Sequence, residues 1–168
     1  MDLIAEHGVG GTSLQMIADA IGVTKAAVYH QFRTKDEIVI AVTEGELARL
    51  QDALVAAEAQ TSRVRARELL LHSVIEMAIA RRRWIAMLTY DPVIVRLLGE
   101  HEPFRAFVTR LYAVLLDEDS SIETQVSAAV LSGAIAGGVA NPLVAGIDDD
   151  VLRTVMLDLV QRMLNMPK

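Results

Sequence analysis

The chain has 168 residues, 52% of them apolar, and 22 acidic side chains against 16 lysines and arginines, for a net charge of −6. That length holds one domain of ordinary size, or a small domain and a larger one, with a real core. With no cysteine in the chain, disulfides, thiolate catalysis and cysteine-based metal sites are excluded.

Leu, Ala, Val and Ile dominate, aromatics make up 4% and prolines number four, a mixture that points to an all-α fold. The start, "MDLIAEHG", has no basic stretch ahead of an apolar one, so no signal peptide is read and a cytoplasmic location is expected. In chain order, Met1 to His7 reads as the last two turns of a helix closed by Gly8, and "GVGG" breaks the chain. Thr12 followed three residues later by Gln15 has capping-box spacing. Leu14, Ile17, Ala18 and Ile21 then recur at the spacing of one helix face. Gly22 is placed to end that helix in the left-handed conformation, and Thr24 to cap the next, Lys25 to about Phe32. Thr34 with Glu37 makes a second capping box, opening a long helix to about Ala59.

Residues 63–83 read as one long helix, and Tyr90-Asp91-Pro92 is a break, with Pro92 suited to the first turn of the next helix. Residues 93–116 read as helical with a kink between Gly99 and Pro103, and "DEDSS" as a loop. A helix from Ile122 to about Ala140 ends at Asn141-Pro142. The acids Asp148, Asp149 and Asp150 precede a last helix, Val151 to Asn165, where they favour its dipole.

The segment "IADAIGVTKAAVYHQF" holds two helical pieces too short to stand alone in water, joined by a tight glycine-containing turn. This is the helix-turn-helix arrangement. Val23, Val28 and Phe32 are expected to bury the inner face of the second piece against Ile17, Ala18 and Ile21. Lys25, Ala26, Tyr29, His30 and Arg33 then lie outside. Such a helix fits its first half into a major groove, and the small Ala26 and Ala27 permit close approach. Charge does not advertise this role: residues 1–45 hold three basic side chains and six acidic ones.

The residues "IAEHG" and "TSLQMIADAIGVTKAAVYHQFRTKDEIVIAV" resemble the DNA-binding domain of tetracycline-repressor-like (TetR family) transcription regulators, over about Leu3 to Val42. The resemblance implies a three-helix head over residues 1–44, its first helix truncated, and a ligand-binding and dimerisation bundle over residues 45–168. It implies phosphate contacts from Ser13, Thr24, Tyr29, His30 and Lys35, and base contacts from Gln15, Lys25, Ala26 and Ala27. The family's first helix is usually longer and preceded by basic residues. The resemblance therefore implies either a natural start upstream of Met1 or a shortened platform. The implied function is a regulator, a repressor by expectation, that binds a palindromic operator in double-stranded DNA as a homodimer and is released by a small-molecule effector.

In the larger part, residues 126–147 carry no charge. Asn141-Pro142 cuts the stretch after about fifteen residues, too few to cross a bilayer comfortably, and no aromatic belt flanks it. A buried helix is the reading, with no membrane partner. Val126, Ala129, Val130, Gly133, Ala134 and Gly137, with Val155, Leu159 and Met163 on the last helix, are the candidates for a four-helix dimer seam of the kind the resemblance implies. Trp84, Met87, Leu88, Tyr90, Phe104 and Phe107, with His72 and Met77 from the neighbouring helix, are candidates for the wall of an apolar effector pocket and equally for plain core. His72 and Glu76 are one turn apart, but a third metal ligand is missing. No nucleophile motif or cofactor signature is present, so an enzyme is not expected. Two rival readings stand beside the regulator: a helical ligand-binding or adaptor protein that has lost DNA binding, and an enzyme on a helical bundle.

Overall fold

A computed structural model describes residues 2–116 and 121–166. Three short helices, α1 (Asp2–Gly11), α2 (Leu14–Ile21) and α3 (Lys25–Gln31), form the head. The lever α4 (Lys35–Glu58) leads into α5 (Arg63–Ala80), α6 (Arg82–Tyr90), α7 (Pro92–Glu100), α8 (Glu102–Leu115), α9 (Ile122–Ala140) and α10 (Asp149–Met163), with a 3-10 turn at Pro142–Val144. The protein is all-α, a helix-turn-helix head on a larger helical bundle, and no strand occurs among the described residues. Of the expected "DEDSS" loop, residues 117–120 lie outside the described residues.

Local chemistry sets most of these boundaries. α1 is interrupted at Gly8, whose φ of 69° and ψ of 169° only glycine adopts readily. Gly22 ends α2 with φ 73°, and Thr24 Oγ1 accepts from the Ala27 N–H at 3.1 Å to open α3. Asp91 caps α7, with Pro92 in its first turn. Replacing Gly8 with Ala should cost about 1–3 kcal/mol and Gly22→Ala about 1–2 kcal/mol. Thermal melts should place both variants several degrees below the parent, and unchanged midpoints would show that the turns are not strained as built.

Three sequence expectations change. Ser13, not Thr12, caps α2, its Oγ accepting from the Met16 N–H at 3.1 Å. Thr12 is buried and gives its hydroxyl hydrogen to the Gly8 carbonyl at 2.8 Å. The second capping box is displaced by one residue: Thr34 accepts from the Glu37 N–H, but the Glu37 carboxylate receives the Arg33 N–H at 2.7 Å. The helix expected over residues 63–83 breaks at Arg81, whose φ/ψ of −122°/30° is not helical. Arg81 Nε donates at 3.0 Å to Glu46 on α4, a carboxylate only 8% exposed. That pairing anchors the corner from which α6 runs to pack against α1 and α9.

Two cores result. The bundle core joins α4, α5, α8, α9 and α10 around Leu54, Leu70, Leu71, Ile75, Leu115 and Leu131. The second is shared: Ile4, Val9, Leu14, Ala18, Val28, Ile38 and Val39 of the head and lever pack with Trp84, Met87, Ile94 and Leu98 of α6 and α7. α4 contributes to both, so it ties head and bundle at each end. Glu44 on α4 also meets His101 at the α7–α8 corner, 3.1 Å away.

Candidate functional site

The outer face of the head is built by α2 and α3. Val28 fastens α3 inward at 5% exposure. Thr24, Lys25, Ala26, Ala27, Tyr29 and His30 are all exposed on it. Lys25 Nζ lies 5.6 Å from the centre of the Tyr29 ring, a cation–π pair that pre-orders two of the candidate contacts. Ser13 and Gln15 are exposed at the start of α2. Gln15 Nε2 donates to Asp19 at 2.7 Å. That bond must be exchanged if the amide is to meet a base edge.

Lys35, at the start of α4, is half-buried. Its ammonium donates to the carbonyls of Val9 at 2.7 Å and Gly10 at 3.3 Å, at the end of α1. An ammonium has three hydrogens, so one is left for an external acceptor. The helix-turn-helix does not bury everything expected of it. Ile21 and Val23 are 63% and 43% exposed. With Leu3, Ile4, Ile17, Phe32, Ile38 and Val42 they edge an apolar groove of about 760 Å³ on the flank of the head. Periodicity placed Ile21 on the apolar face but could not show that this end of the face lacks a covering helix.

A second face runs along α9 and α10. Val126, Ala129, Val130 and Gly133 are exposed, Ala134 and Gly137 half-buried, and Val155, Leu159 and Met163 exposed. Ile122 and Val151 extend this stripe at 81% and 54% exposure; sequence reasoning missed both, although each lies four residues before a named member. The inward stripe of α9 is Leu131, Ile135, Ala136 and Val139. The close approach within the chain is at Gly138, where a Cβ would sit 2.7 Å from Met156 Sδ on α10. Gly133 faces open space.

The eight candidate pocket residues are not brought together. Trp84, Met87, Leu88 and Phe104 pack in the core shared with the head, and Phe107 and Met77 pack in the bundle core. Tyr90 is 66% exposed. His72 is exposed beside Glu46, Arg49, Glu76 and Met77 in a polar groove. Glu76 pairs with Arg153 of α10, and among the described residues no group of three or more His, Asp or Glu is placed to hold a metal.

Residues 1–42 match the family described as bacterial regulatory proteins, tetR family. No curated protein matches the chain. Among solved structures, the TetR family transcriptional regulator PfmR from Thermus thermophilus is 19% identical with a TM-score of 0.67, covering 96% of this chain and 93% of that one. The fatty acid degradation regulator FadR from Bacillus halodurans is 17% identical with a TM-score of 0.73, covering 97% and 89%. AibR, solved with isovaleryl coenzyme A and operator DNA, is 16% identical with a TM-score of 0.66, covering 94% and 91%. At such identities the likeness is one of fold, and it extends along nearly the whole chain. The head, residues 1–42, thus carries the signature of the tetR family of bacterial regulatory proteins, and the chain along nearly its whole length has the fold of solved regulators of that kind.

Proposed function

We propose that this protein is a repressor that binds a palindromic operator as a homodimer and is released by a small-molecule effector. One observation carries the reading: a seven-residue helix, α3, anchored inward by Val28, presents Lys25, Ala26, Tyr29 and His30 outward with small residues in its first turn. Lys25, Ala26, Ala27 and Gln15 would meet base edges, and Ser13, Thr24, Tyr29, His30 and Lys35 would meet phosphates. The apolar stripe along α9 and α10 supplies the two-fold seam that a palindrome requires. AibR, of the same fold, was solved on operator DNA with an acyl-coenzyme A bound; here the effector class is open. Selection of bound fragments from a random duplex pool tests the reading. Recovery of an inverted repeat whose affinity falls steeply with salt is expected. Recovery of no enriched sequence at low salt would sink it and favour the adaptor reading.

Trp84 and Met87 pack directly on the head core, so an effector lodged beside them would change head position without a further relay. Coupling between the two ligands must be reciprocal, typically about 1–3 kcal/mol. A ligand that quenches Trp84, the only tryptophan, should therefore bind about 5–150-fold more weakly with operator present. Equal affinities in the two titrations would remove this region from regulation.

A further inference from the structure

The turn that follows Gly8 is held from two sides. Val9 gives its N–H to Asp91 Oδ2 at 3.4 Å, and its carbonyl accepts from Lys35 Nζ at 2.7 Å. Its side chain is 3% exposed, in the core shared by head and bundle. One residue of the head is thus gripped at its donor, its acceptor and its side chain. The two grips come from different bodies. Lys35 opens the lever α4, while Asp91 sits at the α6–α7 corner of the bundle.

Asp91 is divided in its work. Oδ1 caps α7, accepting from the N–H groups of Val93 at 2.9 Å and Ile94 at 3.3 Å. Oδ2 reaches across to the head. Gly8 contributes through its backbone rather than through lack of bulk: a Cβ there would make only an ordinary 3.6 Å contact with Oδ2, but the positive φ that glycine accepts turns the Val9 N–H out of the helix. Lys35 complements this from the other side. The last turn of α1 has no basic residue of its own, so its free carbonyls receive a cation from α4, where helix ends favour one.

We propose that Asp91 and Lys35 make the Gly8–Gly11 turn a two-sided joint that sets the angle of the head on the bundle, with both acting as positioning residues. The joint itself does not depend on DNA binding; its consequence for an operator rests on the reading above. If two heads must meet successive grooves roughly 34–36 Å apart, a loosened joint spreads that separation and weakens every operator alike.

Asp91→Asn separates the two roles, because asparagine caps helices as well as aspartate does, while its amide nitrogen cannot accept from the Val9 N–H. The absence of cysteine permits paired spin labels at Arg33→Cys on the head and Arg105→Cys on α8, both exposed positions. Labelled chains would be diluted in excess unlabelled chains so that only distances within one chain are read. In Asp91→Asn, Val9 amide exchange should rise at least tenfold, Val93 and Ile94 should keep their protection, and the label distance should broaden. A distance distribution and Val9 exchange identical to the parent would overturn the joint. Should Asp91→Asn fail to fold, Lys35→Met is read by the same broadening, and a parent-like distribution there overturns the joint equally. A parent protein that binds no duplex refutes the regulator reading and leaves the label experiment to decide the joint by itself.

Discussion

Arginine at both Val130 and Leu159 should turn a dimer into an 18.3-kDa particle and remove tight operator binding. In a single chain these side chains are 55% and 44% exposed, so a cation at either costs the fold little. At a two-fold seam each would meet apolar surface and its own copy. The penalty for burying an uncompensated ion is several kcal/mol, which weakens dimerisation by roughly a thousandfold or more. Operator affinity should fall with it by about 10²–10⁴-fold, the advantage that linked binding modules hold over single ones. Sedimentation at micromolar concentration reads the first effect and duplex titration the second. A parent that sediments as a monomer would overturn the proposed homodimer, and a variant that stays dimeric with its circular dichroism unchanged would move the interface elsewhere.

The same face shows where sequence reasoning stops. α9 is free of charge from Thr124 to its end, so no polar side defines which stripe is inward. Composition therefore marked the helix as buried, and passes it as long and apolar enough to cross a membrane, although only 22% of that window is buried within the chain. Tertiary packing chooses Leu131, Ile135 and Val139 for the core and leaves Val126 and Val130 outside. Turns were far more legible, because Gly22, Asp91-Pro92 and Asn141-Pro142 stop helices by local sterics and capping. The break at Arg81 carries no such signal. It is made by a long-range pairing with Glu46 and by the packing of α6 on α1 and α9.

The aromatic-rich segment failed to resolve for a related reason. Trp84, Met87, Phe104 and Phe107 announce apolar contact, but spacing does not say with which partner. Three of these four close the core shared with the head and Phe107 packs in the bundle core, so they do not gather round one cavity. In the head, by contrast, each expected exposed contact on α3 follows from caps and periodicity, and the structure places those residues outward. What the sequence hid there was the long-range seat of the Lys35 ammonium on α1; the Gln15 amide on Asp19, by contrast, is a local pair one helical turn apart.

Glutamate at Ala26 should abolish operator binding while leaving the fold slightly more stable. Ala26 is the second residue of α3 and fully on the outer face. No acid occupies the first turn of that helix, so a carboxylate there meets the positive end of the dipole and gains about 0.3–1 kcal/mol. In the major groove the same carboxylate would face phosphates and base acceptors. Like-charge juxtaposition across an interface costs several kcal/mol, and the close approach allowed by a methyl group is lost besides. Operator affinity should fall by roughly a thousandfold. Lys25→Ala offers the finer test. It would remove the proposed base contact, of about 1–3 kcal/mol, together with the cation that sits over Tyr29, and it should relax base preference at one position per half-site. Thermal melts and duplex titrations on the same preparations separate the two effects of Ala26→Glu, since they have opposite signs. An Ala26→Glu protein that melts at or above the parent temperature and still binds its selected duplex with parent affinity would show that α3 does not enter the groove.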